Sequence, residues 1–219
     1  MAPLPALIEI HDRLLAAYGP QGWWPADGHF EMMVGAVLTQ NTAWTNVERA
    51  ILRLEEQGLL DPRSLLDAPT DQLAEAIRPA GYFNVKARRL QAFTRWYLDQ
   101  GGFEPLARKD TRTLRDQLLA VHGIGPETAD DILLYAFGRP VFVIDAYTRR
   151  IVSRVGHDVE GLSYEALRAR FEDELPADVG LFNEYHALIV RHAKEHCRKK
   201  PLCSGCPLEG ICESAHAFG

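Results

Sequence analysis

The chain has 219 residues, 47% hydrophobic and 25% charged, which is enough for one large domain or two smaller lobes with a full core. Its net charge of −6 argues against a nucleic-acid partner, although phosphate binding depends on local basic patches more than on the sum. No apolar run approaches the roughly 20 residues that span a bilayer, so no membrane partner is expected. The N-terminus has neither the charged region nor the cleavage site of an export signal, which predicts a cytoplasmic protein.

Apolar residues recur at helical spacing along the chain, without the alternation typical of strands. The sequence therefore predicts an all-α fold of roughly ten helices. In chain order, we place them near residues 7–18, 30–38, 44–54, 73–77, 86–97, 114–119, 126–137, 147–155, 164–171 and 179–196.

The chain contains no repeat, low-complexity segment or long linker, so a domain boundary has to lie inside the fold. We predict two lobes. One covers residues 24–140 and contains a helix–hairpin–helix at about 112–137, and the other joins residues 1–23 to 141–219.

The hairpin between the helices of residues 112–137 is the most informative stretch. Gly123 and Gly125 can take backbone angles that other residues avoid, which predicts a tight turn after His122. Such a hairpin leaves amide N–H groups uncovered at a helix N-terminus, where they can hold a phosphate. An ordinary tight turn between helices would give the same pattern. Asp145, which follows an apolar Val-Phe-Val-Ile run, favours the phosphate-binding interpretation.

All cysteines of the chain lie near its C-terminus, with gaps of five, two and five residues between Cys197, Cys203, Cys206 and Cys212. Thiols so close in sequence are metal ligands more readily than disulfides in a chain without an export signal. Zinc sites prefer paired short spacings, whereas one short spacing between two longer gaps suits a 4Fe–4S cluster better. The spacing favours the cluster and leaves zinc open.

Three cations lie inside the first cysteine gap: Arg198, Lys199 and Lys200. A loop that is held rigid by a bound metal and carries these charges would suit contact with a phosphate backbone. A solvated basic loop would have the same sequence.

The hairpin, the aspartate and the terminal cysteines, in this order, resemble the endonuclease III branch of the helix–hairpin–helix DNA glycosylases. The family's Leu-Pro-Gly-Val-Gly-like hairpin corresponds to residues 121–125, and its catalytic aspartate corresponds to Asp145. The resemblance covers nearly the whole chain and implies a helical-barrel lobe, a 4Fe–4S cofactor and double-stranded DNA with a damaged base as the partner. The first cysteine gap is one residue shorter than is usual in the family, which concerns the geometry of the cluster.

Bifunctional members of this family carry a lysine two residues after the second hairpin glycine, where this chain has Glu127. A lysine amine attacks C1′ and forms a Schiff base that permits β-elimination, whereas a carboxylate cannot form an imine. The resemblance therefore implies a monofunctional glycosylase that leaves an abasic site, unless another amine supplies weak lyase activity.

Three further segments are similar to the bacterial endonuclease-III-like 3-methyladenine glycosylases, which also have glutamate at the position of Glu127. These segments are Trp23-Trp24-Pro25, the stretch made of Phe30-Glu31 and residues 34–42, and Arg78-Pro79-Ala80-Gly81. Those relatives often lack the cysteines, so the chain resembles both branches. The second resemblance implies alkylated purines as substrates.

Breaking a base–sugar bond passes through an oxocarbenium-like sugar that a carboxylate near C1′ stabilises, a role the resemblance assigns to Asp145. Asp145 would also cap the helix that follows it, and both roles are compatible. Alkylated purines are cationic and need aromatic faces more than a strong acid. Trp24 and Trp44 match such pocket positions, although Trp44 also fits a helical core stripe.

Two further side chains match positions that enter the DNA in the family. Gln40 would fill the space that a flipped base leaves, and Tyr82 stands where the family places an apolar wedge. His186 and His192 fall on one helical face, so we expect them to be packed or solvated and not catalytic.

Together, the two resemblances imply a monomeric, nucleoid-associated DNA glycosylase that hydrolyses the N-glycosidic bond of a damaged base, with alkylated purines such as 3-methyladenine as substrates. Two alternatives stay open. One is an endonuclease III-like glycosylase and lyase acting on oxidised pyrimidines, and the other is a non-catalytic protein that binds damaged DNA.

Overall fold

The computed structural model describes residues 5–24 and 26–216, and the regular secondary structure of these residues is entirely helical, with no β-strand. The prediction of an all-α fold is confirmed. Pro25 of the tryptophan motif and the chain ends, residues 1–4 and 217–219, lie outside the described residues. None of the described helices is long and apolar enough to cross a membrane.

The chain divides into two compact units, one of Trp24–Arg139 and one that combines Met1–Trp23 with Pro140–Gly219. The first of these, the hairpin unit, contains α2 (His29–Leu38), α3 (Trp44–Glu56), α4 (Pro62–Asp67), α5 (Thr70–Ala76), α6 (Phe83–Asp99), α7 (Phe103–Ala107), α8 (Thr111–Leu119) and α9 (Pro126–Asp131). The second, the cysteine unit, contains α1 (Leu7–Tyr18), α10 (Ala146–Val155), α11 (Tyr164–Glu174) and α12 (Val179–Glu195). Helices α4 and α7 were not predicted, because six and five residues are too few to display a helical period.

The hairpin unit packs around α2 and α6. Helix α2 is apolar on nearly every side, and Met33, Val37 and Leu38 are fully buried. Helix α6 presents Leu90 and Phe93 to the same interior, where both are also fully buried. Each such side chain stabilises the fold by about 1.5–3 kcal/mol relative to an exposed one. These two helices therefore form the stable core from which the loops of the unit extend.

The core of the cysteine unit is a cluster of aromatic rings. Phe142 stacks on Phe171 with ring centroids 4.2 Å apart, and Phe182 and Tyr185 of α12 meet Phe142 edge-on. Phe142 belongs to the apolar run that precedes Asp145 and is fully buried. Because this ring is buried, the short segment between Phe142 and the start of α10 is held against the core.

The apolar run of residues 141–144 forms neither helix nor strand, so side chains have to satisfy its buried backbone. The N–H of Phe142 donates to Glu172 Oε1 at 2.9 Å, and the N–H of Ile144 donates to the Tyr164 hydroxyl at 3.3 Å. Both acceptors belong to α11. This helix therefore holds the extended segment that delivers Asp145.

The prediction of one continuous α-helix over residues 126–137 was wrong. Helix α9 ends at Asp131, and Ile132–Ala136 forms a π-helical turn in which the Phe137 N–H donates to the Ile132 carbonyl at 3.2 Å. A π-turn accommodates one extra residue and so rotates the side chains that follow, and such turns are frequent at functional sites. Here the turn carries Tyr135, which the sequence pattern did not single out.

Gly123 and Gly125 offer a matched pair for testing the hairpin. Gly123 has φ +88°, and a Cβ on it would lie 2.3 Å from Arg89 Cγ, whereas a Cβ on Gly125 would meet nothing within 4 Å. We expect Gly123→Ala to lower the free energy of unfolding by about 2–4 kcal/mol, through left-handed strain and overlap with Arg89. Gly125→Ala should cost less than about 1 kcal/mol. Urea unfolding measures both, and equal losses would show that the close approach of Arg89 does not constrain the hairpin.

Candidate functional site

The hairpin joins α8 to α9 through a turn whose interior is packed. Ile124 is buried, and its N–H donates to the Val121 carbonyl at 3.1 Å. Across the two helices, Arg115 forms a bidentate pair with the fully buried Asp130, at 2.6 and 3.0 Å. Bidentate pairing has strict geometry, so it fixes the angle between α8 and α9. Three residues predicted to be functional are exposed on the outer side: His122, Gly125 and Glu127.

Gln40 is bonded to the hairpin. Its Nε2 donates to the Gly123 carbonyl at 3.0 Å and to Thr128 Oγ1 at 2.9 Å, and its Oε1 accepts from Arg89. The stem of Arg89 fills the space that a side chain on Gly123 would need. The loop after α2, helix α6 and the hairpin therefore meet at one half-buried amide.

Three aromatic side chains gather near the start of the hairpin unit. Trp24 meets Trp44 edge-on, with centroids 4.8 Å apart, and lies 5.1 Å from Tyr135. Trp24 also packs against α2 at Gly35, where a Cβ would be 3.1 Å from its ring. We call Trp24, Trp44 and Tyr135 the aromatic trio. Only Tyr135 was missed by sequence reasoning, because the π-turn that aims it leaves no pattern in the sequence.

Trp44 differs in burial from the other members of the core stripe of α3. Val47 and Leu54 of that stripe are fully buried, while Trp44 is half-buried and its Nε1 donates to Glu48 at 2.7 Å. Trp44, in the first turn of α3, is therefore less buried than the apolar residues that follow it, and its ring contacts Trp24.

Tyr82 protrudes from the hairpin unit. Its side chain is 72% exposed, and its backbone has φ +46° at the N-cap of α6. Asn41, next to Gln40, has φ +54°. Left-handed backbone in a residue other than glycine costs roughly 1–2 kcal/mol and persists where the surroundings impose it, often at functional sites.

Asp145 occupies the N-cap of α10, as one of the sequence expectations had it. Its Oδ1 accepts from the Thr148 N–H at 2.6 Å and from Thr148 Oγ1 at 2.8 Å. Its Oδ2 lies 3.7 Å from His186 Nε2 of α12, and the carboxylate is only 13% exposed. Burial raises the pKa of Asp145, but the His186 ring and the two Thr148 donors more than offset it, so the pKa lies below the usual 3.8. Asp145 is therefore a carboxylate at neutral pH.

Both histidines of α12 are packed. His186 is buried beside Asp145, a contact that sequence reasoning did not foresee, because the two residues are 41 positions apart in the chain. His192 is buried, its Nδ1 lies 2.9 Å from the Tyr18 hydroxyl, and burial lowers its pKa to about 4. His186 thus belongs to the surroundings of the candidate catalytic carboxylate, and His192 to the interior.

The four cysteines are free thiols that line a single cavity, together with apolar residues of α10 and the C-terminal loop. Burial and then the neighbouring sulfurs raise the pKa of Cys206 and Cys212. Among the described residues, no group of three or more His, Cys, Asp or Glu side chains converges on one point in the way that a single metal ion requires.

Two arginines of α10 hold the start of the cysteine loop. Arg150 Nε donates to the Cys197 carbonyl at 2.9 Å. Arg154 donates to Cys197 Sγ at 3.3 Å and to the carbonyls of Arg198 and Lys199 at 2.6 and 3.0 Å. The side chains of the basic triplet Arg198, Lys199 and Lys200 are exposed.

The chain is similar to known DNA repair proteins over most of its length. The profile of the HhH-GPD superfamily of base excision DNA repair proteins matches residues 34–177. A candidate DNA repair glycosylase of Methanocaldococcus jannaschii is 48% identical over 95% of this chain and 96% of its own. Endonuclease III of Sulfolobus acidocaldarius is 30% identical over 84% of this chain and 81% of its own. The structure of the H. pylori 3-methyladenine DNA glycosylase bound to 1,N6-ethenoadenine has a TM-score of 0.75 at 28% identity, covering 87% of this chain and 98% of that one.

Proposed function

Because this chain belongs to the HhH-GPD superfamily and is a DNA repair glycosylase of the endonuclease III family, we propose that it removes alkylated purines such as 3-methyladenine from double-stranded DNA by hydrolysis. The observation that carries the proposal is the state of Asp145, a nearly buried carboxylate that Thr148 and His186 keep ionised. A fixed negative charge in a site of low dielectric is what a developing sugar cation needs.

In the proposed reaction, the bond between C1′ and the base nitrogen breaks, and its electron pair leaves with the base. The sugar then carries a positive charge that Asp145 stabilises. Water adds to C1′ and gives up a proton, so the products are the free base and an abasic site. Oδ1 of Asp145 is occupied by the Thr148 donors, so Oδ2 is the oxygen that we assign to the sugar.

The aromatic trio supports a cationic base as the substrate. Aromatic rings attract cations that lie over their faces, and an alkylated purine leaves as a neutral molecule without help from a strong acid. The likeness to the H. pylori enzyme, whose name specifies 3-methyladenine, points in the same direction. Oxidised pyrimidines are uncharged and gain less from such rings.

For DNA binding, we propose the exposed hairpin amides with His122, Gly123 and Gly125, and the basic triplet. These groups would contact phosphates, while Gln40 and Tyr82 would enter the space of the extruded base. For Gln40 this requires that its bonds to Gly123 and Thr128 be exchanged for bonds to DNA. An enzyme of this kind would act as a monomer on nucleoid DNA.

The proposed role of Asp145 is tested by measuring base release. In single-turnover assays, the wild-type protein should release 3-methyladenine from a methylated duplex faster than it acts on thymine glycol or uracil. Asp145→Asn keeps an oxygen for the cap and loses the charge, so we expect base release to fall by at least about a thousandfold with duplex binding retained. Fluorescence anisotropy with the same duplex provides the binding control.

Three results would overturn this assignment. Unchanged base release by Asp145→Asn would remove the carboxylate from the chemistry. A wild-type preference for thymine glycol would favour the alternative of an endonuclease III-like enzyme, to which the Sulfolobus relative lends support. Binding without turnover on any lesion would identify a non-catalytic DNA-binding protein.

Glu127 supports a reaction that stops at the abasic site. Its carboxylate stands at the position of the lysine of bifunctional relatives and is exposed on the hairpin. Lys86 of the same unit is no substitute, because it is 1% exposed and its Nζ donates to three oxygens.

Borohydride trapping on an abasic-site duplex tests this point. The wild-type protein should give no covalent adduct, since Glu127 replaces the lysine that forms the imine that borohydride reduces, and Lys86 is buried. Glu127→Lys restores an amine at the family position and is the matched variant in which an adduct is expected. Robust trapping by the wild-type protein would show that it is a lyase.

We also propose that the four cysteines hold a 4Fe–4S cluster. They face one cavity as free thiols, and their one short spacing between two longer gaps suits a cubane. In a cubane each thiolate binds a different iron, so the sulfurs need not converge on one point as they do for zinc. Such a group would staple the loop that carries the basic triplet, a structural role outside the hydrolysis itself.

Anaerobic purification tests the cofactor. The protein should be brown with a broad absorption near about 400 nm and contain four irons and four sulfides per chain, roughly. Cys203→Ser should lose most of the colour, while Glu209→Gln in the same loop should keep it. Stoichiometric zinc in a colourless protein would contradict the proposal.

A further inference from the structure

Lys86 of α6 is a buried cation whose partners lie on two separate loops. Its side chain is 1% exposed, and burying an ammonium group costs several kcal/mol unless its N–H groups are satisfied. Nζ donates to the Leu38 carbonyl at 2.8 Å, to the Ala80 carbonyl at 2.8 Å and to Thr42 Oγ1 at 2.7 Å. All three N–H groups are therefore used, and all three acceptors are uncharged oxygens.

The positions of these acceptors explain why a lysine is stable here. Leu38 is the last residue of α2, and Ala80 is the last residue of the short 3-10 turn Arg78–Ala80. Carbonyls at the end of a helix lack partners within it and lie at its negative end, so they attract a cation. The Thr42 hydroxyl accepts from Lys86 and donates to the Ala80 carbonyl. One ammonium and one hydroxyl thus join segments that are about forty residues apart in the chain.

Each joined segment contains a residue with left-handed backbone, at or next to a candidate DNA-inserting side chain. Asn41, adjacent to Gln40, has φ +54°, and Tyr82 has φ +46°. No other non-glycine residue in the described part of the chain has a positive φ. Strain of this kind relaxes unless neighbouring groups hold the backbone, and Lys86 supplies such bonds to both segments at once.

We propose that Lys86 is a positioning residue that sets Gln40 and Tyr82 at a fixed separation, so that both can enter the DNA together when a base is extruded. The inference rests on the proposed function, in which these two side chains occupy the space of the extruded base. Burial, and then the nearby Arg89, lower the pKa of Lys86 to about 8, which agrees with an ammonium that the carbonyl oxygens keep charged at neutral pH.

The test separates base extrusion from bond breaking. Single-turnover base release is measured for Lys86→Met on two duplexes, one with the lesion normally paired and one with the lesion opposite an abasic site, where extrusion costs little. We expect a loss of at least about tenfold on the paired lesion and less than about threefold on the unpaired one. Thr42→Val, which removes only the bridging hydroxyl, should shift the paired lesion in the same direction by a smaller factor.

Lys109→Met is the matched control, because Lys109 is bonded to the side chains of Gln100 and Gln117, away from both loops. It should leave both rates unchanged. If Lys86→Met fails to fold, judged by thermal melting, Thr42→Val carries the test alone. Equal losses on the two duplexes, or no loss on either, would overturn the inference.

A second readout keeps this inference distinct from the proposed function. In the Asp145→Asn background, 2-aminopurine beside the lesion reports extrusion by a rise in fluorescence without turnover. We expect the rise with Asp145→Asn alone and its loss when Lys86→Met is added. If the wild-type protein releases no base from either duplex, the proposed function fails, and the fluorescence still decides whether Lys86 supports insertion.

Discussion

The absence of a side chain at Gly123 determines how the working parts of the hairpin unit fit together. Arg89 occupies the vacant space, and from there it donates to Gln40, whose amide in turn bonds the Gly123 carbonyl and Thr128. A left-handed glycine thus makes room for an arginine, and the arginine orients the amide. The turn, the loop after α2 and helix α6 cannot shift separately, because the same few atoms belong to all three contacts. Close packing of this kind transmits displacement instead of absorbing it.

The cysteine unit depends in a similar way on one helix. Asp145 caps the N-terminus of α10, and Arg150 and Arg154 of the same helix hold the backbone of the cysteine loop. A rigid helix of ten residues therefore links the candidate catalytic carboxylate to the loop that carries the basic triplet. A metal group that ordered this loop would also restrain α10, the helix whose N-terminus Asp145 caps.

Much of the fold could be predicted from the sequence, because in long amphipathic helices such as α1 and α12 the apolar residues recur at helical spacing. The hairpin glycines and Asp145 were recognisable for a similar reason, since each is defined by its neighbours in the chain. Besides the short helices α4 and α7, two features were not predicted. The π-turn at Ile132–Ala136 breaks the period without a glycine or proline to mark it, so Tyr135 was assigned no role. The contacts of His186 and Lys86 join residues 41 and 48 positions apart, and only tertiary packing brings them together.

Tyr82 has a consequence for how the protein can change. At a position with left-handed backbone, substitution by glycine or asparagine removes the steric cost of the larger side chain. Replacing Tyr82 by either residue is therefore a simple change that would raise the thermal stability of the protein. The same substitution would remove the ring that protrudes from the surface. Because we propose that this ring enters the DNA, selection for thermal stability and selection for DNA binding would act on this position in opposite directions, and its identity would report which of the two has prevailed in a given lineage.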